Sequence, residues 1–165
     1  FKQKTAYEIG VRLVGSEMCI RDRFNDLMYR SRSRFGSILV ESREVIMYLK
    51  NKLDKVKVLA VVADQSPRLN SRKIWSKMLN QETAFLESIE FIPRFTDSYV
   101  YFASMKKTSR GRYEVNLEHI TNSKISRKNQ ILERYISCME TQIKENPGEW
   151  LWSHRRWKLT PENNQ

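Results

Sequence analysis

The sequence predicts an α/β fold with a mixed, largely parallel sheet flanked by helices. Three observations predict it. The run "VKVLAVVADQ" at 56–65 is almost continuously apolar and rich in valine, the pattern of a strand buried on both faces. Before it come a short apolar run, "SILV" at 37–40, and a helical stretch, "SREVIMYLKNKLDK" at 42–55. Strand, helix and strand in that order make a βαβ unit, whose strands lie parallel. Finally, "RKNQILERYISCMETQIKEN" at 127–146 puts Ile131, Leu132, Tyr135, Met139 and Ile143 on one stripe, a helix with a face to cover such a sheet.

The first 23 residues are set apart before the elements are placed. "EMCIRD" at 17–22 back-translates to GAG ATG TGT ATA AGA GAC, which resembles a transposon mosaic end used in sequencing libraries. "LVGS" and "KQKTAYE" upstream fit further adapter blocks in the same frame and order. Residues 1–23 therefore read as a translated adapter, not native, and residues 24–165 as one domain truncated at its N-terminus. Their removal takes away five Lys/Arg and three Asp/Glu, which lowers the net charge from +11 to +9.

From Phe24 onward, "FNDLMYRSRSR" suits a short helix ending before Phe35-Gly36. In 42–55, Val45, Ile46, Leu49 and Leu53 share a helical face and Ser42 suits the N-cap. Residues 66–85 show no period and read as irregular. "LESIEFIPRF" at 86–95 reads as a helix, with Pro93 at its end or at a kink. "SYVYFASMKK" and "RYEVNLEHI" read as two strands of a hairpin, with Gly111 available for a positive φ. The long helix stops at Asn146-Pro147-Gly148, and "EWLWSHRRWK" follows at 149–158.

A basic balance favours phosphate-bearing partners: nucleic acid, anionic lipid head groups or phosphorylated substrates. With Cys19 in the adapter stretch, Cys138 stands alone, so there is neither a disulfide framework nor a cysteine metal set. No apolar run approaches the roughly 20 residues that span a bilayer. A glycine-rich phosphate loop is also missing.

Three stretches carry candidate chemistry. Asp64 and Gln65 stand at the carboxyl end of the predicted strand, where ligands of open α/β sheets bind. Asp64 can orient a hydroxyl or pair with a cation there, or simply cap the next turn. Arg30, Arg32 and Arg34 alternate in "YRSRSRFG"; their forks suit phosphate, or they line a solvated helical face. Trp150, Trp152 and Trp157 interleave with Arg155, Arg156 and Lys158. That pattern suits base stacking, a membrane interface, or indoles closing a core. The histidines are His119 and His154, followed five positions on by Lys124 and Leu159, so neither carries a paired carboxylate at that spacing.

Taken together, "RSRFG", "VVADQSP", "LNQETAF", "KKTSRGRYEV" and "NPGEWLWSHRRWK" resemble, in order and spacing, the bacterial lipid A biosynthesis lauroyl and myristoyl acyltransferases, closest to a Bacteroidetes-like branch. The resemblance runs from Phe24 to Pro161, about the C-terminal half of such an enzyme. It implies an acyltransferase-type α/β fold at the cytoplasmic face of the bacterial inner membrane. It also implies transfer of a fatty acyl chain from acyl carrier protein to a hydroxyacyl chain of a phosphorylated lipid A precursor in lipopolysaccharide assembly. No cofactor, metal or nucleic acid is implied. The family's catalytic pair, a His-x4-Asp/Glu motif, is missing from this sequence, so the resemblance places no catalytic residue in it and implies an inactive fragment without a membrane anchor. As support for the site the resemblance implies Arg32 or Arg34, Asp64 with Gln65, and Glu90. The C-terminal motif of Trp150, Trp152, His154, Arg155, Arg156 and Trp157 is implied to be structural or phosphate-facing. Ser88 stands where the family commonly has glycine, in a Gly-x-Glu that ends here at Glu90, which leaves the local backbone open.

Overall fold

A computed structural model describes residues 12–13, 22–41, 44–52, 56 and 58–161. The chain divides into two compact units, Phe1–Val62 and Ala63–Gln165.

In the first unit, strand β1 (Arg12–Leu13) pairs in parallel with β2 (Leu39–Val40). Helix α1 (Asp22–Ser33) lies between them in sequence and helix α2 (Val45–Lys52) follows. The predicted helix at 24–34 is therefore present, though it begins at Asp22, inside the stretch read as adapter. Val45 and Leu49 are buried, as the helical period of the second helix requires, and Val40 of β2 is buried as well. The proposed N-cap Ser42 and the stripe residue Leu53 lie outside the described residues.

The second unit opens with β3 (Lys73–Met78) and β4 (Gln81–Leu86), an antiparallel hairpin in a stretch expected to be irregular. Its two-residue turn holds Leu79 and Asn80 at φ 50° and 63°. Two left-handed residues give the tight turn whose twist suits a hairpin. Asparagine is at home there, but leucine pays for the conformation, and that hid the turn from a reading by composition. Compensation comes from two sides: Leu79 packs against the core, and its amide donates to Glu140 Oε1 at 2.7 Å. Replacing Glu140 by alanine leaves that half-buried N–H unpaired and is expected to cost about 1–2 kcal/mol, measured by urea unfolding. Glu140→Gln, which keeps an acceptor, should lose less.

Helix α3 (Ser88–Thr96) matches the expected 86–95 and carries Pro93 within it. Ser88 is its first helical residue, so this position needs none of glycine's freedom. Strands β5 (Tyr99–Ser109) and β6 (Arg112–Asn122) form the predicted hairpin, with Gly111 at φ 74° in its turn. Helix α4 (Gln130–Glu145) is the predicted long helix, stopped before a 3-10 turn at Pro147–Glu149. Its buried residues are Ile131, Leu132, Ile136, Met139 and Ile143; Tyr135 is half-buried beside them. Leu132, Ile136, Met139 and Ile143 form one core with Met78, Phe85, Phe102 and Ile120, and Tyr135 packs against it. The opposite face of the β5–β6 hairpin leaves Tyr99, Tyr101, Met105, Tyr113, Val115 and Leu117 exposed.

The largely parallel sheet is not what the described residues form. Parallel pairing is confined to β1 and β2, and the other two sheets are antiparallel hairpins. The valine run explains the difference. A strand buried on both faces needs a paired neighbour along each edge. Here the described part of 56–65 has an isolated bridge at Ala60 and no ladder, and Val58, Val61 and Val62 are exposed.

Candidate functional site

In the second unit three of the motif stretches converge. After the 3-10 turn the chain runs back over the β3–β4 hairpin, and each residue from 154 to 157 except Arg155 is held by a specific contact. His154 Nε2 accepts the amide of Ser66 at 3.0 Å, which ties the C-terminal segment to the stretch after Asp64-Gln65. A ring nitrogen that accepts is unprotonated, so this histidine carries its hydrogen on Nδ1. Trp157 donates its indole N–H to Thr83 Oγ1 at 2.9 Å, and Thr83 is buried on β4. The guanidinium of Arg156 stacks over the Phe85 ring, 4.6 Å from its centroid. Alternation along β4 sets this up: Thr83 and Phe85 point the same way, and each receives one residue of the "RW" pair.

Arg156 is the unusual member. Its side chain belongs to a residue only 2% exposed, yet Nε, Nη1 and Nη2 have no hydrogen-bond partner. Burial lowers its pKa, while the fields of Tyr135 and Asp64 act the other way. Burial likewise pushes the Tyr135 phenol up, and the charge of Asp64 adds to that. Asp64 is thus close enough to act on both groups through its field but makes no ion pair with the guanidinium. Ser66 Oγ is a further buried polar atom without a partner. An open pocket of about 310 Å³ adjoins them, lined by Trp150, Trp152, His154, Arg155, Arg156, Trp157 and Lys158. Its lining includes three cationic side chains and no carboxylate.

The sequence-predicted residues separate into three groups. Asp64, His154, Arg156 and Trp157 come together, with Gln65 exposed at the edge and Trp150 half-buried against the core. Arg155 is exposed at the pocket lip, and Trp152 is exposed with its indole N–H donated to Pro147 O at 2.6 Å. Glu90 is elsewhere. It is 6% exposed and accepts two bonds from Arg94 at 2.9 and 3.0 Å and the Leu132 amide at 2.8 Å, so it fastens the start of α4 to α3. Arg32 and Arg34 lie in the first unit, where Arg32 is half-buried and the Arg34 guanidinium sits over Phe35 at 5.6 Å. Thr83, Phe85, Ser66 and Tyr135 were missed as site neighbours by sequence reasoning. The signal for the first two lay in "ETAF", an alternation concealed by the unexpected turn before it.

The arrangement bears on the stacking alternative. A base-stacking platform needs open indole faces. Here Trp150 and Trp157 pack against the core, and Trp152 is the exposed indole of the three. Among the described residues no group of His, Cys, Asp and Glu could hold a metal, and no helix is long and apolar enough to cross a membrane.

Truncating His154 to alanine releases the Ser66 amide. Hydrogen exchange there should quicken roughly fivefold to tenfold, from the net worth of one hydrogen bond, while the amides of α4 stay as they were. An unchanged Ser66 rate would show that the C-terminal segment does not hold the 64–66 stretch.

No protein among curated sequences matches the chain. The family model of bacterial lipid A biosynthesis acyltransferases matches residues 19–159, beginning within the stretch read as adapter and ending at the residue before Thr160. The match takes in the Asp64 stretch, the β3–β4 hairpin and the whole segment from Trp150 to Lys158, and the chain belongs to the bacterial lipid A biosynthesis acyltransferases.

Proposed function

We propose that this chain is the C-terminal part of an enzyme that moves a fatty acyl chain from acyl carrier protein to a phosphorylated lipid A precursor, at the cytoplasmic face of the inner membrane. Residues 24–165 form that part in this reading, and residues 1–23 are translated adapter. The observation that carries the reading is convergence: three separate motifs of the family-matched region meet around Asp64, His154 and Arg156. The reaction needs a general base for the acceptor hydroxyl. Its oxygen attacks the carbonyl of the acyl thioester, the C–O bond forms as the C–S bond breaks, and the base relays the proton to the departing thiolate. Neither histidine here has an acidic residue five positions on, and His154 already spends its free nitrogen on Ser66. Asp64, with Gln65 beside it and Arg32 or Arg34, then supports the acceptor rather than performing the proton transfer. No cofactor takes part.

The purified 165-residue chain should show no acyl transfer above a boiled control, followed by the mass shift of a lipid A precursor. The gene recovered upstream of Phe24 and expressed in membranes should transfer from acyl carrier protein, and Asp64→Ala or Arg34→Ala should each lower its rate by roughly 100-fold through lost positioning. Failure of that longer enzyme with several acyl donors, together with salt-sensitive oligonucleotide binding, would replace this reading with that of a basic binding module.

A further inference from the structure

We propose that the open face of the β5–β6 hairpin docks on an anionic lipid surface. The inference deepens the membrane location in the proposed function and rests on that reading only for the presence of a lipid surface; the docking face itself follows from strand register. Side chains alternate across a strand, so the ladder sorts this hairpin into two faces. One face pairs Phe102 with Glu118, Ser104 with Asn116 and Lys106 with Glu114. It is the covered one: Phe102 belongs to the core, and Glu118 Oε1 lies 3.6 Å from Cys138 Sγ on α4. The other face pairs Tyr101 with His119, Ala103 with Leu117, Met105 with Val115 and Lys107 with Tyr113, and Tyr99 adjoins the His119 ring at its base. Tyr99, Tyr101, Met105, Tyr113, Val115 and Leu117 are each more than half exposed there. The carboxylates of the two strands, Glu114 and Glu118, both belong to the covered side, so the open face carries none. At its far end Lys107, Arg110 and Arg112 are exposed, with Tyr113 across from Lys107 and Ser109 across from Arg112. That charge pattern complements an anionic bilayer: aliphatic groups reach the acyl boundary, tyrosine hydroxyls stay at head-group level and the cations meet lipid phosphates. A nucleic acid would match the cations but leave Met105, Val115 and Leu117 in water. Contact made by the described residues is peripheral, since none of their helices is long and apolar enough to cross a membrane.

The full chain is sedimented with vesicles of phosphatidylethanolamine and phosphatidylglycerol, and separately with vesicles of phosphatidylcholine alone. Its net charge of +11 would draw it to any anionic surface, so the apolar rows carry the test. The expected result is saturable binding to the anionic vesicles, weakened roughly tenfold or more by Met105→Gln with Leu117→Gln, which takes away buried apolar area. Lys107→Gln with Arg112→Gln should weaken it about 25-fold, from roughly fivefold per cation at an anionic surface. All four side chains are exposed, and urea unfolding of each double variant checks that the fold is kept. Val115→Thr with Leu117→Thr, which favours the strand at both positions, repeats the apolar test should glutamine loosen the hairpin. Undiminished vesicle binding by the apolar variants would overturn the proposal and leave general charge as the cause. A dimer in lipid-free sedimentation that the same variants abolish would assign the face to a second copy instead. Face-dependent vesicle binding by a chain whose longer form transfers no acyl group would remove the acyltransferase reading and leave this surface standing. Acyl transfer by the longer enzyme, with vesicle binding indifferent to the apolar variants, would do the reverse.

Discussion

Glu90→Ala is expected to destabilise the second unit by about 3 kcal/mol in urea unfolding followed by circular dichroism. The carboxylate does three jobs at once. One oxygen takes both Arg94 donors, at 3.0 and 2.9 Å, and the other takes the Leu132 amide at 2.8 Å. Leu132 lies in the first turn of α4, whose N-cap residue Asn129 makes no side-chain cap bond, so Glu90 supplies from another helix the acceptor and the negative charge that a helix N-terminus lacks. Arg94 in turn donates to the carbonyls of Ser126 and Arg127, which fixes the loop leading into α4. Full burial would place the loss at the top of the range for broken ion pairs, but the Arg94 side chain is 33% exposed and can recover part of its hydration. Arg94→Ala should cost a similar amount, because it strands the buried carboxylate. The double variant should lose about 1–2 kcal/mol less than the two singles summed. Full additivity would mean that the two side chains do not act as a unit.

That role was not legible in the sequence, and the reason is physical. Glu90 reads as a candidate site residue from its place in "FLESIEF", but its partners lie 4 residues away on its own helix and 42 residues away on another. Spacing along one chain can suggest the first and is silent about the second. Local signals did better where the structure is local. The period of α4, its stop at Asn146-Pro147 and the Gly111 turn all survive in the structure, because each depends on residues within a few positions. The β3–β4 hairpin escaped because its turn uses Leu79, a residue whose backbone preference points elsewhere and whose cost is met by Glu140, 61 residues on. Arg156 was legible only as part of a basic and aromatic run. Its run-mates Arg155 and Lys158 are exposed, and what singles Arg156 out is that the chain turns it onto Phe85, a contact no alternation within 149–158 announces.

Phe85→Ala should cost about 4 kcal/mol, since the ring is completely buried and its loss opens a cavity in the core it shares with Met78, Leu132, Ile136 and Met139. Phe85→Leu should cost about 2 kcal/mol: volume is largely kept, but the ring face under the guanidinium goes. The informative comparison is with Arg156→Met. A buried charge without hydrogen bonds carries a desolvation penalty that an apolar chain of similar length avoids, so this variant should be as stable as the parent or more so. In that background Phe85→Leu should cost about 1 kcal/mol less than in the parent, the coupling between ring and cation. A guanidinium that weakens the fold it sits in cannot be accounted for by the fold. Equal or greater stability in Arg156→Met would therefore show that the fold does not depend on this charge. A loss of 3 kcal/mol or more in Arg156→Met would instead make it a structural pin of the C-terminal segment, satisfied in solution by water or by Asp64.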